Sequence, residues 1–260
     1  MIEGERAPLV RASVADDLSL ADLRAALAAG WADFRSYPQF GLFFASVYVA
    51  AGIFLVYAFL AWGEVVWLVP AAAGFPLLAP FIAVGLYEVS RRSELGLPMN
   101  WRAILGSLRG RGDDQIIGMG VVLFVAFGFW VIVAHGLFYI FFAQSGLAAE
   151  TTDFLFTGAG ISMLVIGGII GGLMALAFFA ITVVSLPMLV DRDVDCISAI
   201  IVSLAAMRSN TRVLLTWAVT IAVALFLAMI PLFLGLLVVL PLLAHATWHL
   251  YRRVIVATVV

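Results

Sequence analysis

An all-α fold, a polytopic transmembrane helical bundle, is what this sequence predicts, and three observations carry that expectation. Of the 260 residues, 65% are hydrophobic and only 12% charged, far from the mixture of a soluble domain. Long apolar runs recur, each near the roughly 20 residues a helix needs to cross about 30 Å of hydrocarbon. All fourteen basic residues are Arg, and all fall on one side of a bilayer crossed six times.

Taken in order, residues 1–39 carry Arg, Asp and Glu throughout and lack the apolar core and cleavage pattern of a signal peptide. The first span is therefore expected to act as an uncleaved insertion signal. Within this segment Ser19 to Phe34 reads as an amphipathic helix, with Leu20, Leu23, Leu27, Trp31 and Phe34 at three- and four-residue steps. Ser19 and Asp22 have capping-box spacing, with Asp in place of the usual Glu. Phe40 to Trp62 supplies the first span, Glu64 and a short turn interrupt it, and Val65 to Tyr87 returns. Trp101, Ile104, Leu105 and Leu108 form a second amphipathic stripe, flanked by Arg102 and Arg109. Ile116 to Phe142 and Ser162 to Leu189 make the third and fourth spans, joined by the polar AQSGLAAETTDF segment. A third stripe, Ile197, Ile200, Ile201 and Leu204, closes on Arg208. Val213 to Leu250 is too long for one crossing, and a break at Pro231 to Gly235 makes it two. The expected organisation is an N-terminal segment (1–39), a six-span domain of three hairpins with interfacial helices (40–250) and a tail (251–260).

Charge sets the orientation. Arg6, Arg11, Arg24 and Arg35 precede the first span, and Arg91, Arg92, Arg102, Arg109 and Arg111 lie between the second and third. Arg192, Arg208 and Arg212 separate the fourth from the fifth, while Arg252 and Arg253 follow the sixth. The opposite loops hold only Glu64, Glu150 and Asp153. Arg-rich short loops stay in the cytoplasm, which places both termini there. The three lead-in helices and the matching exits LYEVSRR, LPMLVDRD and HLYRR fit parallel repeats about the membrane normal. The need of any two-span module for an amphipathic entry and an Arg stop produces the same pattern.

The residues that could carry a function are few. Gly167 and Gly171, and Gly168 and Gly172, repeat at four-residue spacing and strip side chains from a helix face, which suits packing within the chain or against a partner. His245 and His249 share one face of the last helix, a spacing open to a metal or an axial haem ligand, although interfacial hydrogen bonding beside Trp248 and Tyr251 fits better. His135 is a lone polar group in an apolar span, where burial demands a partner or a cavity. Asp191, Arg192, Asp193 and Asp195 could gather around a divalent ion, but helix capping and pairing with Arg explain them more simply. Glu88, Arg91, Arg92 and Glu94 form a similar mixed cluster, and with HLYRR they are expected to join in one ion-pair layer; lipid phosphate accounts for the Arg residues equally well. Cys196 is the only cysteine, which rules out an internal disulfide. No Walker loop, dinucleotide fingerprint or nucleophile elbow occurs, no metal or cofactor is expected, and nothing points to nucleic acid.

SLPMLVDRDVD, LYEVSRRSELGLP and VVLPLLAHATWHLYRR together resemble a bacterial integral-membrane family of unknown function, over roughly residues 30 to 255. Some of its members are labelled as candidate cytochrome c oxidase subunits. The resemblance singles out Pro187, Asp191, Arg192, Asp193, His245, Trp248, His249 and Arg252 and assigns them no role. It implies a multi-pass protein of the bacterial inner membrane. Three histidines at unsuitable depths do not build a haem-copper core, so an oxidase connection would be that of an accessory or assembly component. The expected partners are the lipid bilayer and a membrane protein or a second copy of the chain. A small-molecule or lipid transporter and a membrane haem protein are the competing readings.

Overall fold

The computed structural model describes residues 10–63, 79–107, 115–143 and 152–259. A short strand, β1 (Val10–Val14), leads into α1 (Leu20–Ser36) and α2 (Pro38–Trp62). After α3 (Ala79–Glu94) and the one-turn α4 (Trp101–Gly106) come two long elements, α5 (Gln115–Phe142) and α6 (Gly158–Thr182). Then follow α7 (Ser185–Asp191), α8 (Cys196–Ser209), α9 (Thr211–Met229), α10 (Leu236–Val254) and β2 (Ile255–Val259).

Four helical stretches among the described residues are long and apolar enough to cross a membrane: α2, α5, α6 continued by α7, and α9. Local chemistry sets their limits. Pro38 opens α2, where its missing N–H costs nothing, and Thr157 caps α6 by accepting from Gly160 N at 3.0 Å. α2 and α5 lie within two residues of the first and third expected spans. The first part of the second span, Val65 to Leu78, lies outside the described residues, as do Arg6, Arg109, Arg111, Glu64 and Glu150.

One expected span needs correction. The fourth span is not one helix: α6 stops at Thr182 and α7 restarts at Ser185. Ser203 of α8 bridges the break, accepting from Val184 N at 3.2 Å and donating to Ala180 O at 2.7 Å. The break thus leaves these backbone groups paired inside the protein rather than facing lipid. The lead-in helices have different neighbours: α1 packs along α10, α4 lies beside α3, and α8 rests on α6 and α7.

The last apolar stretch divides where the sequence placed its break. α9 ends at Met229, Leu232 and Phe233 turn through left-handed φ values of 51° and 65°, and α10 begins at Leu236. Such backbone costs a non-glycine residue about 1–2 kcal/mol; here buried Phe233 anchors the turn in the core.

α10 differs most from expectation. It is an internal strut against which α1, α2, α3 and α9 all pack. His245, Ala246, Trp248 and Val254 are fully buried. Two His, two Arg and Pro241 make it too polar to rank with the four apolar stretches. Trp217 of α9, also fully buried, donates to Thr247 at 3.3 Å.

The buried face of α1 is turned partly away from the expected stripe: Leu23 and Phe34 are buried and Leu27 packs against the core. Leu20 and Trp31 are exposed, and the buried stripe is Leu23, Ala26, Gly30, Asp33 and Phe34. Small residues win because the helices nearly touch: a Cβ at Gly30 would stand 2.5 Å from Ala246 N. Beyond the helices, β1 pairs antiparallel with β2, Val14 opposite Ile255 and Val10 opposite Val259. Residues 251–259 are thus the end of α10 and a paired strand. Asn210 ties this end to the α8–α9 corner, accepting from Leu18 N and donating to Ala15 O at 2.6 Å.

Candidate functional site

The charged residues of α1, α3, α7 and α10 converge on one buried network. α10 presents His245, His249 and Arg252 at helical spacing. α3 offers Glu88, Ser90, Arg91, Arg92 and Glu94 from its last two turns, α1 offers Asp33, and α7 ends on Asp191.

At its inner end Ser90, fully buried, donates to Asp33 Oδ2 at 2.6 Å, and His245 Nδ1 lies 2.7 Å from the same hydroxyl. An ionised carboxylate only accepts, so the serine proton points to Asp33 and His245 donates through Nδ1. His245 Nε2 is then a lone pair, buried with no hydrogen-bond partner. Asp33 also receives His249 Nε2 at 2.8 Å, and His249 Nδ1 faces Glu94 at 3.4 Å. A ring with carboxylates at both nitrogens is held as the imidazolium.

The outer half is built on Asp191. It accepts from Tyr251 Oη at 2.8 Å and Arg252 at 3.3 Å, with Arg91 Nε at 3.6 Å and Arg192 at 3.7 Å. Arg91 reaches both Glu88 oxygens at 3.2 Å, Arg92 joins Glu88 at 3.2 Å, and Arg252 reaches back to Glu94 at 3.2 Å. A separate pair fixes the start of α1: Arg253 binds Asp17 at 2.9 Å and Asp22 at 3.1 Å. Asp22 also completes the capping box with Ser19.

The other sequence-selected residues distribute as follows. Pro187 and Trp248 are buried, and Trp248 Nε1 has no partner. Asp193 is exposed, and Asp195 caps α8 by accepting from Ser198 N at 2.8 Å. His135 lies on the exposed side of α5, its Nδ1 at 2.9 Å from Val131 O, away from the apolar cleft between α6 and α9. Of the glycines, Gly171 packs on Trp130, where a Cβ would come within 2.9 Å; Gly167 approaches Leu137, and Gly168 and Gly172 face open space. An apolar cleft of about 420 Å³ lies between α6 and α9, floored by α10 and α3. Asp33 and Ser90 escaped sequence reading, since an acid in an amphipathic helix looks like part of its solvated face. The recoverable signal was the Leu23–Ala26–Gly30–Asp33 spacing, which places Asp33 on a stripe of small residues.

This arrangement locks helices together. Both His249 nitrogens are engaged and His245 is sealed, so neither offers an open ligand position, and among the described residues no His, Cys, Asp and Glu cluster has metal-holding geometry. Acid should unlock it. Burial raises the Asp33 carboxyl, but hydrogen bonds from His249 and Ser90 outweigh this and hold it below its ordinary 3.8; Ser19 lowers Asp22 through side-chain and backbone hydrogen bonds. A lowered carboxylate contributes stability that is complete above its unfolded pKa and lost as pH falls through the folded one. The melting temperature in detergent is expected to fall steeply below about pH 4, as Asp33 and Asp22 take up protons. A melt unchanged well below that pH would contradict it.

Apolar helices around a charged, internally paired end define the class: an integral membrane protein with several apolar helices. Residues 68–191, just under half the chain, match the family model described as predicted integral membrane protein (DUF2189). That stretch contains the α3 cluster and Asp191 and stops before α10. No curated protein and no solved structure matches the chain.

Proposed function

We propose that this protein is a non-catalytic accessory or scaffold component of a larger membrane complex, crossing a bacterial inner membrane six times with both termini in the cytoplasm. The exposed glycine face of α6 supports this reading best. In the most apolar window of α6 and α7 only 6% of residues are buried inside the molecule, and a Cβ at Gly168 would meet nothing within 4 Å. Small residues at four-residue spacing allow close helix approach, and within this chain only part of that face is used. The Arg distribution supports the orientation. The resemblance of SLPMLVDRDVD and HATWHLYRR to a family with oxidase-labelled members makes a respiratory complex the first candidate. Selective transport of a polar solute has less support, because the cleft is apolar and His135 lies elsewhere.

The test is purification of natively expressed protein in mild detergent, with mass spectrometry and a visible spectrum on one sample. Stoichiometric co-purification of respiratory membrane subunits, lost in Gly168→Leu while the protein's own melt is unchanged, is the expected result. A colourless protein without a partner contradicts the accessory reading.

A further inference from the structure

We propose that the cleft between α6 and α9 holds one acyl chain of an anionic membrane phospholipid, with the lipid phosphate at Arg212. Its walls are Gly172 and Ala175 on α6 and Ala218 and Ala222 on α9, over Leu240 and Ala244 of α10. Along α9 the lining runs from Leu215 to Leu225, about 15 Å at 1.5 Å per residue. With a volume near 420 Å³, its mean cross-section is about 30 Å² over that length. A single polymethylene chain fits. With each methylene taken as about the size of one water, near 30 Å³, the cleft holds on the order of fourteen carbons.

The wall chemistry selects hydrocarbon. Its two Thr hydroxyls are committed to their own helices: Thr182 donates to Phe178 O and Thr247 to Leu243 O, both at 2.8 Å. Tyr87 is the one lining residue with an uncommitted hydroxyl among the described residues, so a polar guest would lose most of its water without replacement.

The headgroup is argued from charge. Leu215, Ala218, Ala222 and Leu225 form a stripe at three- and four-residue steps, and Arg212 is its next member toward the start of α9. Arg212 is exposed, and neither its guanidinium nor that of Arg208 forms an ion pair among the described residues. A free guanidinium at the end of an apolar cleft recognises phosphate and favours lipids with net negative charge. Gly172 lines the cleft and Gly168, one turn away on the same face of α6, does not, so this site adjoins the proposed docking face, and Gly168→Leu alters the docking face without filling the cleft.

Native mass spectrometry of the full-length protein in mild detergent tests it, with phosphatidylglycerol and phosphatidylcholine of graded chain length as probes. One phosphatidylglycerol per chain is expected, with affinity rising with chain length until the cleft is full. Ala218→Phe and Ala222→Phe should weaken it at least about tenfold, while Val223→Phe on the exposed side of α9 leaves it unchanged. Arg212→Gln should remove the preference for phosphatidylglycerol and keep the chain-length dependence. Binding that ignores chain length, or is equal in the Ala222→Phe and Val223→Phe proteins, overturns the proposal in favour of unspecific boundary lipid. Loss of a dimer rather than of lipid in the filled variants overturns it in favour of a second copy. Melts confirm that the variants fold, and if they do not, the chain-length series on the unaltered protein decides.

Discussion

Asp191→Ala is expected to destabilise the detergent-solubilised protein by about 3–5 kcal/mol, the range for removing one partner of a buried ion pair. The cost comes from what remains. Arg91, only 8% exposed in its side chain, would keep Glu88 but lose the carboxylate beside Nε, and Tyr251 would lose its acceptor. Three elements meet at this carboxylate: Arg91 comes from α3, Tyr251 and Arg252 from α10, and Asp191 itself ends α7. Asp191→Asn should fall between, since an amide oxygen can still accept from Tyr251 but carries no charge. Arg252→Gln is the informative contrast, because Arg252 is 45% exposed and exposed ion pairs contribute about 0–1 kcal/mol. Equal losses for Asp191→Ala and Arg252→Gln in thermal or denaturant unfolding would mean that the network is a solvated rim.

Gly30→Leu is expected to cost about 3 kcal/mol or more, combining overpacking with a broken polar contact. The obstruction is backbone, since even a Cβ would lie 2.5 Å from Ala246 N and 3.0 Å from Leu242 O. Neither can rotate away, so α1 must lift from α10. Asp33, three residues further along, would then leave His249 and Ser90. Gly30→Ala should also destabilise, by about 1–3 kcal/mol, against the gain of about 1 kcal/mol that helix propensity alone offers. Trp31→Ala, at a position 42% exposed, should stay within about 0.5 kcal/mol. A stabilising Gly30→Ala would refute the close approach.

What could be read from the sequence follows from how locally each feature is determined. The limits of α2 and α5, the Ser19–Asp22 capping box and the Pro231–Gly235 break depend on a few adjacent residues, and these agree with the structure. The α6–α7 break was missed because Ser203, which satisfies it, arrives from another helix. The orientation of α1 was legible only in part: Leu23 and Phe34 are inside as expected, but near-touching helices need Ala26 and Gly30 inside in place of Leu20 and Trp31. Pairing of HLYRR with the α3 and α7 clusters was legible, since segregated opposite charges beside apolar spans have few other partners. Asp33 was not, because its partners lie 57 and 216 residues away.

The most direct test of the α1–α10 lock is a double-mutant cycle on Asp33 and His249, with Asp33→Asn, His249→Gln and the double variant unfolded in the same detergent. A coupling of about 1–3 kcal/mol is predicted, as for residues sharing one network. Additivity within about 0.5 kcal/mol would show that the two side chains do not act together and that the buried network does not hold α1 on α10.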